Sequence, residues 1–155
     1  MAIEIEKKFI VKNDNWKNFV SNKFIIKQAY LSENNQITTR IRITPNNAYL
    51  TLKGIQTNIS RTEFEYQIPI NDAKYLFSMS NYQIFKTRYI LNHFNDEWVV
   101  DVFEKNHLGL IIAEIELKSE NQKFKVPTWI GKDISTDRKY SNFCLAKSNK
   151  IPKLD

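Results

Sequence analysis

Charged side chains at alternate positions near the amino end of the chain could bind ions. Glu4, Glu6 and Lys8 are separated by Ile5 and Lys7. Alternate residues of a β-strand face the same side, so two carboxylates and an ammonium group would share one face. Carboxylates bind hard divalent cations, and ammonium groups bind phosphate oxygens. An ordinary half-buried strand also alternates, so the function depends on whether the pattern recurs.

The pattern does recur in most of the later segments that resemble strands. Seven basic and seven acidic side chains fall in one common phase. The basic ones are Lys8, Arg40, Arg42, Lys53, Arg61, Lys86 and Arg88, and the acidic ones are Glu4, Glu6, Glu63, Glu65, Asp101, Glu114 and Glu116. If these faces turn inward, the interior is polar and both signs of charge line it.

Eight segments have strand-like composition and are separated mostly by short polar turns, which favour antiparallel hairpins. They cover residues 2–11, 28–33, 36–44, 48–54, 60–69, 82–93, 97–104 and 109–118. Eight antiparallel strands with few helices indicate a mainly β (α+β) fold, a closed eight-stranded β-barrel, because closure removes exposed sheet edges. We expect one domain over residues 1–155.

Helical spacing appears in the longer connections. Asp14 could cap a helix that carries Trp16, Phe19, Val20 and Phe24, and Asn71 could cap one that carries Tyr75, Leu76 and Met79. A short helix is predicted at 120–124 and a last one at 142–147. We expect the helices to cover apolar patches outside the barrel.

Composition excludes several classes of protein. The net charge of +6 and pI of about 9.3 favour an anionic partner, but the bases share strand faces with carboxylates, so nucleic acid is not the expected ligand. Cys144 is the only cysteine, so an internal disulfide is excluded, and we expect it to be buried for structural reasons. The longest apolar run is too short to span a bilayer. We therefore expect a soluble, cytoplasmic protein.

The charged faces have two interpretations. They could face water around an apolar barrel interior, as solvated strand faces commonly do. Against this, Leu110–Leu117 is apolar except for Glu114 and Glu116, whereas a solvent face usually mixes several polar residue types. If the charges are buried, they must compensate one another or a ligand. A divalent cation bound to an oligophosphate would match both the acidic and the basic groups.

The ordered set of charged motifs resembles the CYTH domains, or triphosphate tunnel metalloenzymes. The E-x-E-x-K motif is Glu4 to Lys8, and the likeness extends over most of the chain. The further segments that carry it are Arg40-Ile41-Arg42, Leu50–Gly54, Arg61–Glu65, Lys86-Thr87-Arg88, Asp101-Val102-Phe103 and Ala113–Glu116. The resemblance departs at Asp137–Asn142, where Lys139 stands in place of an expected arginine. Because Lys and Arg are not equivalent at bidentate sites, the role of this segment stays open.

The resemblance implies an eight-stranded tunnel that binds triphosphate with a divalent metal. Family members include inorganic, nucleoside and thiamine triphosphatases and class IV adenylate cyclases, so the fold does not fix the substrate. We expect a metal-dependent hydrolase of a small triphosphate, most simply inorganic tripolyphosphate. An adenylate cyclase and a noncatalytic binder of polyphosphate or nucleic acid stay open as alternatives, as does a homodimer.

Side chains must bind the phosphates, because the chain has three glycines and no P-loop. The expected phosphate ligands are Lys8, Arg40, Arg42, Lys53, Arg61, Lys86 and Arg88. The expected metal ligands are Glu4, Glu6, Asp101, Glu114 and Glu116, and an all-oxygen set favours Mg²⁺ or Mn²⁺. Glu63 and Glu65 are candidates for holding the attacking water, and Lys86 with Tyr30 for protonating or activating an oxygen.

Overall fold

One antiparallel sheet dominates the computed structural model, which describes residues 2–34 and 36–154. Its strands are β1 (Ile3–Val11), β2 (Val20–Glu33), β3 (Thr38–Ile43), β4 (Ala48–Lys53), β5 (Ser60–Ile68), β6 (Tyr82–His93), β7 (Asp96–Phe103), β8 (Ile111–Glu116) and β9 (Ile130–Asp133). Their order is β5-β4-β3-β2-β6-β7-β8-β1-β9, and β5 also pairs with β1. Strands β1 to β8 therefore close into the predicted eight-stranded barrel, and β9 is an unpredicted addition to β1.

Strand β1 closes the barrel because it pairs with different neighbours along its length. Ile3–Ile5 pair with β5, whereas Glu6–Ile10 pair with β8. Near its carboxyl end β1 also pairs with β9. A Cβ atom on Gly131 of β9 would lie 2.7 Å from the Ile10 carbonyl oxygen, so this close approach of two backbones requires glycine.

The predicted helix after Asp14 is wrong beyond its first turns. A short 3₁₀ helix covers Asp14–Phe19, and its amino-terminal cap is Asn13, whose side chain accepts a hydrogen bond from the backbone N–H of Asn15. Strand β2 then begins at Val20, eight residues before the predicted start, and pairs with β6 from Val20 to Tyr30. Pairing with a neighbouring strand here outweighs the helical spacing of the apolar residues.

Helix α1 (Ile70–Ser78) packs on the outside of the barrel, as predicted. Its amino-terminal cap is Pro69 and not Asn71, and no side chain caps it. Ala73 is buried against Ile41 and Ala48 of the barrel wall. Tyr75 and Met79, which the spacing assigned to the apolar face, are exposed.

The helix predicted at 120–124 is absent, although these residues are all described. A turn occupies this region, and the Glu120 carboxylate accepts hydrogen bonds from Ser60 Oγ (2.6 Å) and Asn58 Nδ2 (3.3 Å). The segment continues to β9 and covers apolar side chains on the outer face of the barrel, including Phe9 and Trp98. No helix in the described part of the chain is long and apolar enough to cross a membrane.

Helix α2 (Asn142–Ser148) lies where it was predicted in the sequence, but it packs inside one end of the barrel and not outside. Its buried Leu145 and Ala146 contact a cluster that includes Ile84 and Ile112. Ile84 lies opposite Gln28 in the strand register, and Ile112 lies opposite Asp101, so both share the face that carries the charged residues. The interior is therefore apolar where α2 packs at one end, and charged elsewhere.

Candidate functional site

A central cavity of about 200 Å³ lies inside the barrel and is lined almost entirely by ionic side chains. Its lining residues are Glu4, Glu6, Lys8, Arg40, Arg42, Lys53, Glu63, Glu65, Arg88, Glu97, Val99, Glu114, Glu116 and Asn142. The charged register predicted from the sequence thus faces inward, and the alternative with an apolar sealed interior is wrong. Of the fourteen charged residues in the predicted register, all line this cavity except Arg61, Lys86 and Asp101.

Two wider openings share lining residues with the central cavity. The first mouth, about 430 Å³, is lined by Lys8, Tyr30, Asn34, Gln36, Ile37, Thr38, Arg40, Lys53, Gly54, Ile55, Gln56, Arg61, Arg138, Ser141, Asn142, Phe143 and Cys144. The second mouth, about 550 Å³, is lined by Asn22, Lys23, Phe24, Ile26, Arg42, Thr44, Pro45, Asn46, Asn47, Tyr49, Glu65 and Arg88. The site is therefore a tunnel with a narrow charged middle.

Basic side chains gather on one side of the tunnel. Arg40 and Arg42 lie on β3 and Arg88 on β6, and β2 is the strand between them. Burial, together with the charges of Arg40 and Arg88, lowers the pKa of Arg42 to about 10. The positive charges around Arg42 form a site that an anion would stabilise.

Acidic side chains gather on the opposite side, on the contiguous strands β8, β1 and β5. Glu6 of β1 is the direct cross-strand partner of Glu116 of β8. Burial raises the pKa of Glu116, and the charges of Glu4, Glu6 and Glu63 raise it further. This side therefore carries an excess of negative charge that a cation would neutralise.

Two lysines partly compensate these carboxylates. Lys53 Nζ lies 2.9 Å from Glu4 Oε2 and 3.2 Å from Glu63 Oε2. Lys8 Nζ lies 3.5 Å from Glu6 Oε1 and 3.7 Å from Glu114 Oε1. Burial lowers the pKa of Lys8, but the charges of Glu114, Glu6 and Glu4 outweigh that effect and raise it above the ordinary value.

The carboxylates fit a hard divalent cation by their chemistry. An all-oxygen donor set suits Mg²⁺ or Mn²⁺, and the facing pair of Glu6 and Glu116 leaves like charges to be neutralised. Among the described residues, however, no three His, Cys, Asp or Glu side chains converge closely enough to hold a metal ion as they stand. Lys8 and Lys53 now occupy the spaces between them, so metal binding requires these ammonium groups to move.

Lys86, Arg88 and Asp101 form a buried ion cluster beside the cavity. Lys86 Nζ donates to Asp101 Oδ2 (2.7 Å), and Arg88 donates to both carboxylate oxygens of Asp101 at 2.8 Å. Burial raises the pKa of Asp101, but the two cations outweigh it and hold the pKa well below its usual range. Lys86 and Asp101 are both 0% exposed, so neither presents a surface to the cavity.

Tyr30 lies at the first mouth and is held by a neighbour that the sequence did not single out. Gln28 Nε2 donates to Tyr30 Oη (3.0 Å), and Arg42 Nε donates to Gln28 Oε1 (3.1 Å). Burial raises the pKa of Tyr30 although the nearby Arg40 and Arg42 charges oppose it. The described side chains show no direct hydrogen bond between Tyr30 and Lys86, whose Nζ bonds to Asp101 and Asn142.

The remaining predicted residues are distributed around these groups. Glu65 Oε2 accepts from Thr51 Oγ1 (3.0 Å) and lies 3.4 Å from Arg40 Nη2. Arg61 donates twice to the Gly54 carbonyl oxygen and belongs to the first mouth, not to the central cavity. The predicted site is thus a central group with Arg61 at its edge.

The sequence prediction missed three residues of the cavity. Glu97 and Val99 continue the phase of Asp101 along β7, so the alternation that identified Asp101 could have identified them. Asn142 belongs to a helix, where strand alternation gives no signal. In the Asp137–Asn142 segment, Lys139 is exposed and its Nζ lies 3.8 Å from Asp137 Oδ2, whereas its neighbour Arg138 lines the first mouth.

Comparisons with known proteins agree with this geometry. The CYTH domain family matches residues 2–150. An inorganic triphosphatase of Acetivibrio thermocellus is 39% identical over 96% of both chains, and one of Nitrosomonas europaea is 30% identical over 94% of this chain and 97% of its own. The crystal structure of the inorganic triphosphatase NE1496 has a TM-score of 0.70 at 29% identity and covers 99% of both chains. The chain therefore belongs to the CYTH domain family.

Proposed function

We propose that this protein hydrolyses inorganic tripolyphosphate to orthophosphate and diphosphate with Mg²⁺ or Mn²⁺ as cofactor. The observation that carries the proposal is the separation of charge across the tunnel, with Arg40, Arg42 and Arg88 facing the carboxylates of β8, β1 and β5. A linear polyphosphate with a bound divalent cation carries both complementary charges. The family and its two relatives named inorganic triphosphatase support the same reaction.

The size of the central cavity favours an inorganic substrate. Sites for drug-sized organic ligands are typically about 300–1,000 Å³. The charged middle of the tunnel is about 200 Å³, and Val99 is the one apolar residue among its described lining residues. A nucleoside would therefore have to stay in one of the mouths while its phosphates entered the middle.

The basic residues would bind and orient the phosphates. Arg40, Arg42 and Arg88 hold the chain from one side by charge-assisted hydrogen bonds, and Arg61 extends the site at the first mouth. Lys8 and Lys53 would exchange their carboxylate partners for phosphate oxygens when a metal takes those carboxylates. Lys86 would support this arrangement from behind the cavity wall.

Glu4, Glu6, Glu114 and Glu116 would hold the metal. When bound, a divalent cation neutralises phosphate oxygens and makes a coordinated water more acidic. The Asp101 carboxylate already accepts hydrogen bonds from Lys86 and Arg88. Its role would therefore be to hold Arg88 in position and not to bind the metal directly.

Glu63 and Glu65 would orient the attacking water. The water oxygen attacks the terminal phosphorus in line, the bond to the bridging oxygen breaks, and a carboxylate accepts the proton that the water loses. Tyr30 lies at the first mouth and keeps its proton, because burial raises its pKa. It could donate a hydrogen bond to the departing diphosphate. No nucleophilic side chain is required.

The test is a substrate panel with the purified protein. Tripolyphosphate, ATP, thiamine triphosphate and long-chain polyphosphate are each incubated with Mg²⁺ or Mn²⁺, and with EDTA as the control. We expect metal-dependent release of orthophosphate, fastest from tripolyphosphate. Formation of cyclic AMP from ATP would instead identify a cyclase, and tight salt-sensitive binding without turnover would identify a noncatalytic binder.

A further inference from the structure

Asn142 stands at the boundary between the apolar end of the barrel and the charged middle. It is the first residue of α2, and it lines both the central cavity and the first mouth. The helix behind it is fixed by the buried side chains of Leu145 and Ala146. The rings of Tyr30 and Phe143 also pack edge to face, with centroids 5.3 Å apart. The position of Asn142 is therefore set by the packing of α2.

One contact determines how the Asn142 amide is oriented. Lys86 Nζ donates a hydrogen bond to Asn142 Oδ1 at 3.1 Å. The Asp101 carboxylate, 2.7 Å from Lys86 Nζ, opposes the effect of burial and favours the protonated amine. An ammonium group has only donors, so the atom that faces it is the amide oxygen. The Nδ2 group then carries two N–H donors, and no described residue accepts a hydrogen bond from it. The arrangement leaves these donors for a ligand in the cavity.

Lys86, which bonds to the Asn142 amide, does not itself line the cavity. Lys86 is 0% exposed, and its second described partner is Asp101. A cation bonded to an amide oxygen draws electron density from the amide and makes its N–H groups stronger donors. The positive charge of the buried Lys86 thus makes the Nδ2 group of Asn142, at the tunnel surface, a stronger hydrogen-bond donor.

We propose that Asn142 is a phosphate-binding residue of this site, which donates from Nδ2 to a phosphate oxygen, and that Lys86 is its positioning residue. The inference rests on the proposed function, because it takes the triphosphate as the occupant of the cavity. Phosphate oxygens near neutral pH act chiefly as acceptors, so a pair of N–H donors held toward them is complementary. This also gives a role to the segment Asp137–Asn142, whose sequence departs from the expected pattern.

Two substitutions at this position separate the proposal from a purely structural role. Asn142→Asp keeps an oxygen acceptor for Lys86 at the same reach but removes both N–H donors and adds a negative charge. Asn142→Ala removes both functions. The matched control is Asn106→Asp, because Asn106 is exposed and its amide bonds to Asn149 outside the tunnel. KM and kcat for tripolyphosphate are measured for all three, with Tm to verify folding.

We expect KM to rise several-fold in Asn142→Ala and at least tenfold in Asn142→Asp, whereas the control keeps the wild-type KM. The opposite order, in which Asn142→Asp behaves like the wild type and only Asn142→Ala is impaired, would show that Asn142 merely accepts from Lys86 and would overturn the proposal.

A second readout separates this proposal from the proposed function. Calorimetric Kd values for tripolyphosphate in EDTA, where no turnover occurs, should follow the same order as KM. If the wild type releases no phosphate from any substrate, the proposed function fails, and these Kd values alone decide the role of Asn142. Equal Kd values for the wild type and Asn142→Asp would reject it.

Discussion

Glu6 and Glu116 are direct cross-strand partners on the inner face of the barrel, at the junction of β1 and β8. Two like charges in directly opposed positions destabilise a sheet. The pKa of Glu116 is raised by burial and by the charges of Glu4, Glu6 and Glu63. The contribution of Glu6 to this rise reflects the repulsion within the pair. The pair therefore favours a bound cation at the expense of the stability of the metal-free protein.

Replacing Glu116 by Gln should separate stability from function. In EDTA we expect Tm to rise slightly, because one member of the repelling pair loses its charge. The free energy of unfolding should increase by about 0.2–1 kcal/mol. With Mn²⁺ we expect weaker metal binding and at least a tenfold loss of tripolyphosphate turnover. Calorimetry and phosphate release measure these quantities. Undiminished turnover under saturating metal would remove Glu116 from the metal site.

The acid side of the pH profile should depend on Glu116. The ionised carboxylate is the form that binds metal, and its pKa is raised above the ordinary glutamate value of about 4.3. Metal affinity should therefore begin to fall at a higher pH than an unperturbed glutamate would cause. We expect Glu116→Gln to show a weaker dependence of Mn²⁺ affinity on pH as the solution is acidified from neutrality. Identical slopes in the two proteins would contradict this assignment.

Arg42→Ala should impair substrate binding more than it impairs the fold. Arg42 lines the central cavity, and repulsion from Arg40 and Arg88 contributes to its lowered pKa. Removing it takes away a phosphate ligand, so we expect KM for tripolyphosphate to rise at least tenfold. The control is Lys150→Ala, an exposed residue near the carboxyl end. Equal effects of the two substitutions would indicate general surface electrostatics in place of a defined site.

Asp101→Asn should destabilise the protein strongly, because Lys86 and Arg88 would lose their shared counterion in a buried setting. Breaking a buried ion pair from one side typically costs about 3–5 kcal/mol. Asp101 is fully buried and bonds to both cations at 2.7–2.8 Å. Urea unfolding at pH 7 measures the loss, with Asp72→Asn as an exposed control expected to change stability by less than about 1 kcal/mol.

The cost of Asp101→Asn should depend on pH in one direction. The pKa of Asp101 lies below its unfolded value of about 3.9, so its contribution is fully present above about pH 4 and is lost as pH falls toward the folded pKa. The difference in Tm between wild type and variant should therefore narrow as the pH falls below 4. A difference that widens below pH 4 would refute the ion cluster.

Leu145→Ala should loosen the helix that packs inside one end of the barrel. Leu145 is fully buried among the inward-facing apolar residues, and truncation of such a leucine costs about 2–5 kcal/mol. We expect a clear drop in Tm, whereas Leu154→Ala, at an exposed leucine, should leave it unchanged. A small effect at Leu145 would mean that α2 does not depend on this packing.

Alternation alone determined much of this protein. The inward-facing charges of β1, β3, β5 and β8 recur at every second residue, and the two-residue period of a strand fixes which side chains share a face. Short polar turns made the neighbours antiparallel. The barrel, its charged interior and most of the cavity lining follow from these local rules, and the ordered motifs pointed to the CYTH family.

Local rules failed where distant segments compete. Val20 and Phe24 have helical spacing, yet they lie in β2 because β6 offers a longer pairing partner. Strand β9 forms because Gly131 lets its backbone approach β1, which no local pattern predicts.

Only the tertiary structure decided which charges can meet a ligand. Lys86 and Arg88 are equivalent in the sequence pattern, but α2 enters the barrel beside them and buries Lys86, while Arg88 still lines the cavity. The same helix places Asn142 in the tunnel, in contact with Lys86, which lies 56 residues earlier in the sequence. Strand periodicity predicts which face of the sheet a side chain lies on. Whether that side chain is then buried depends on packing between segments far apart in the chain.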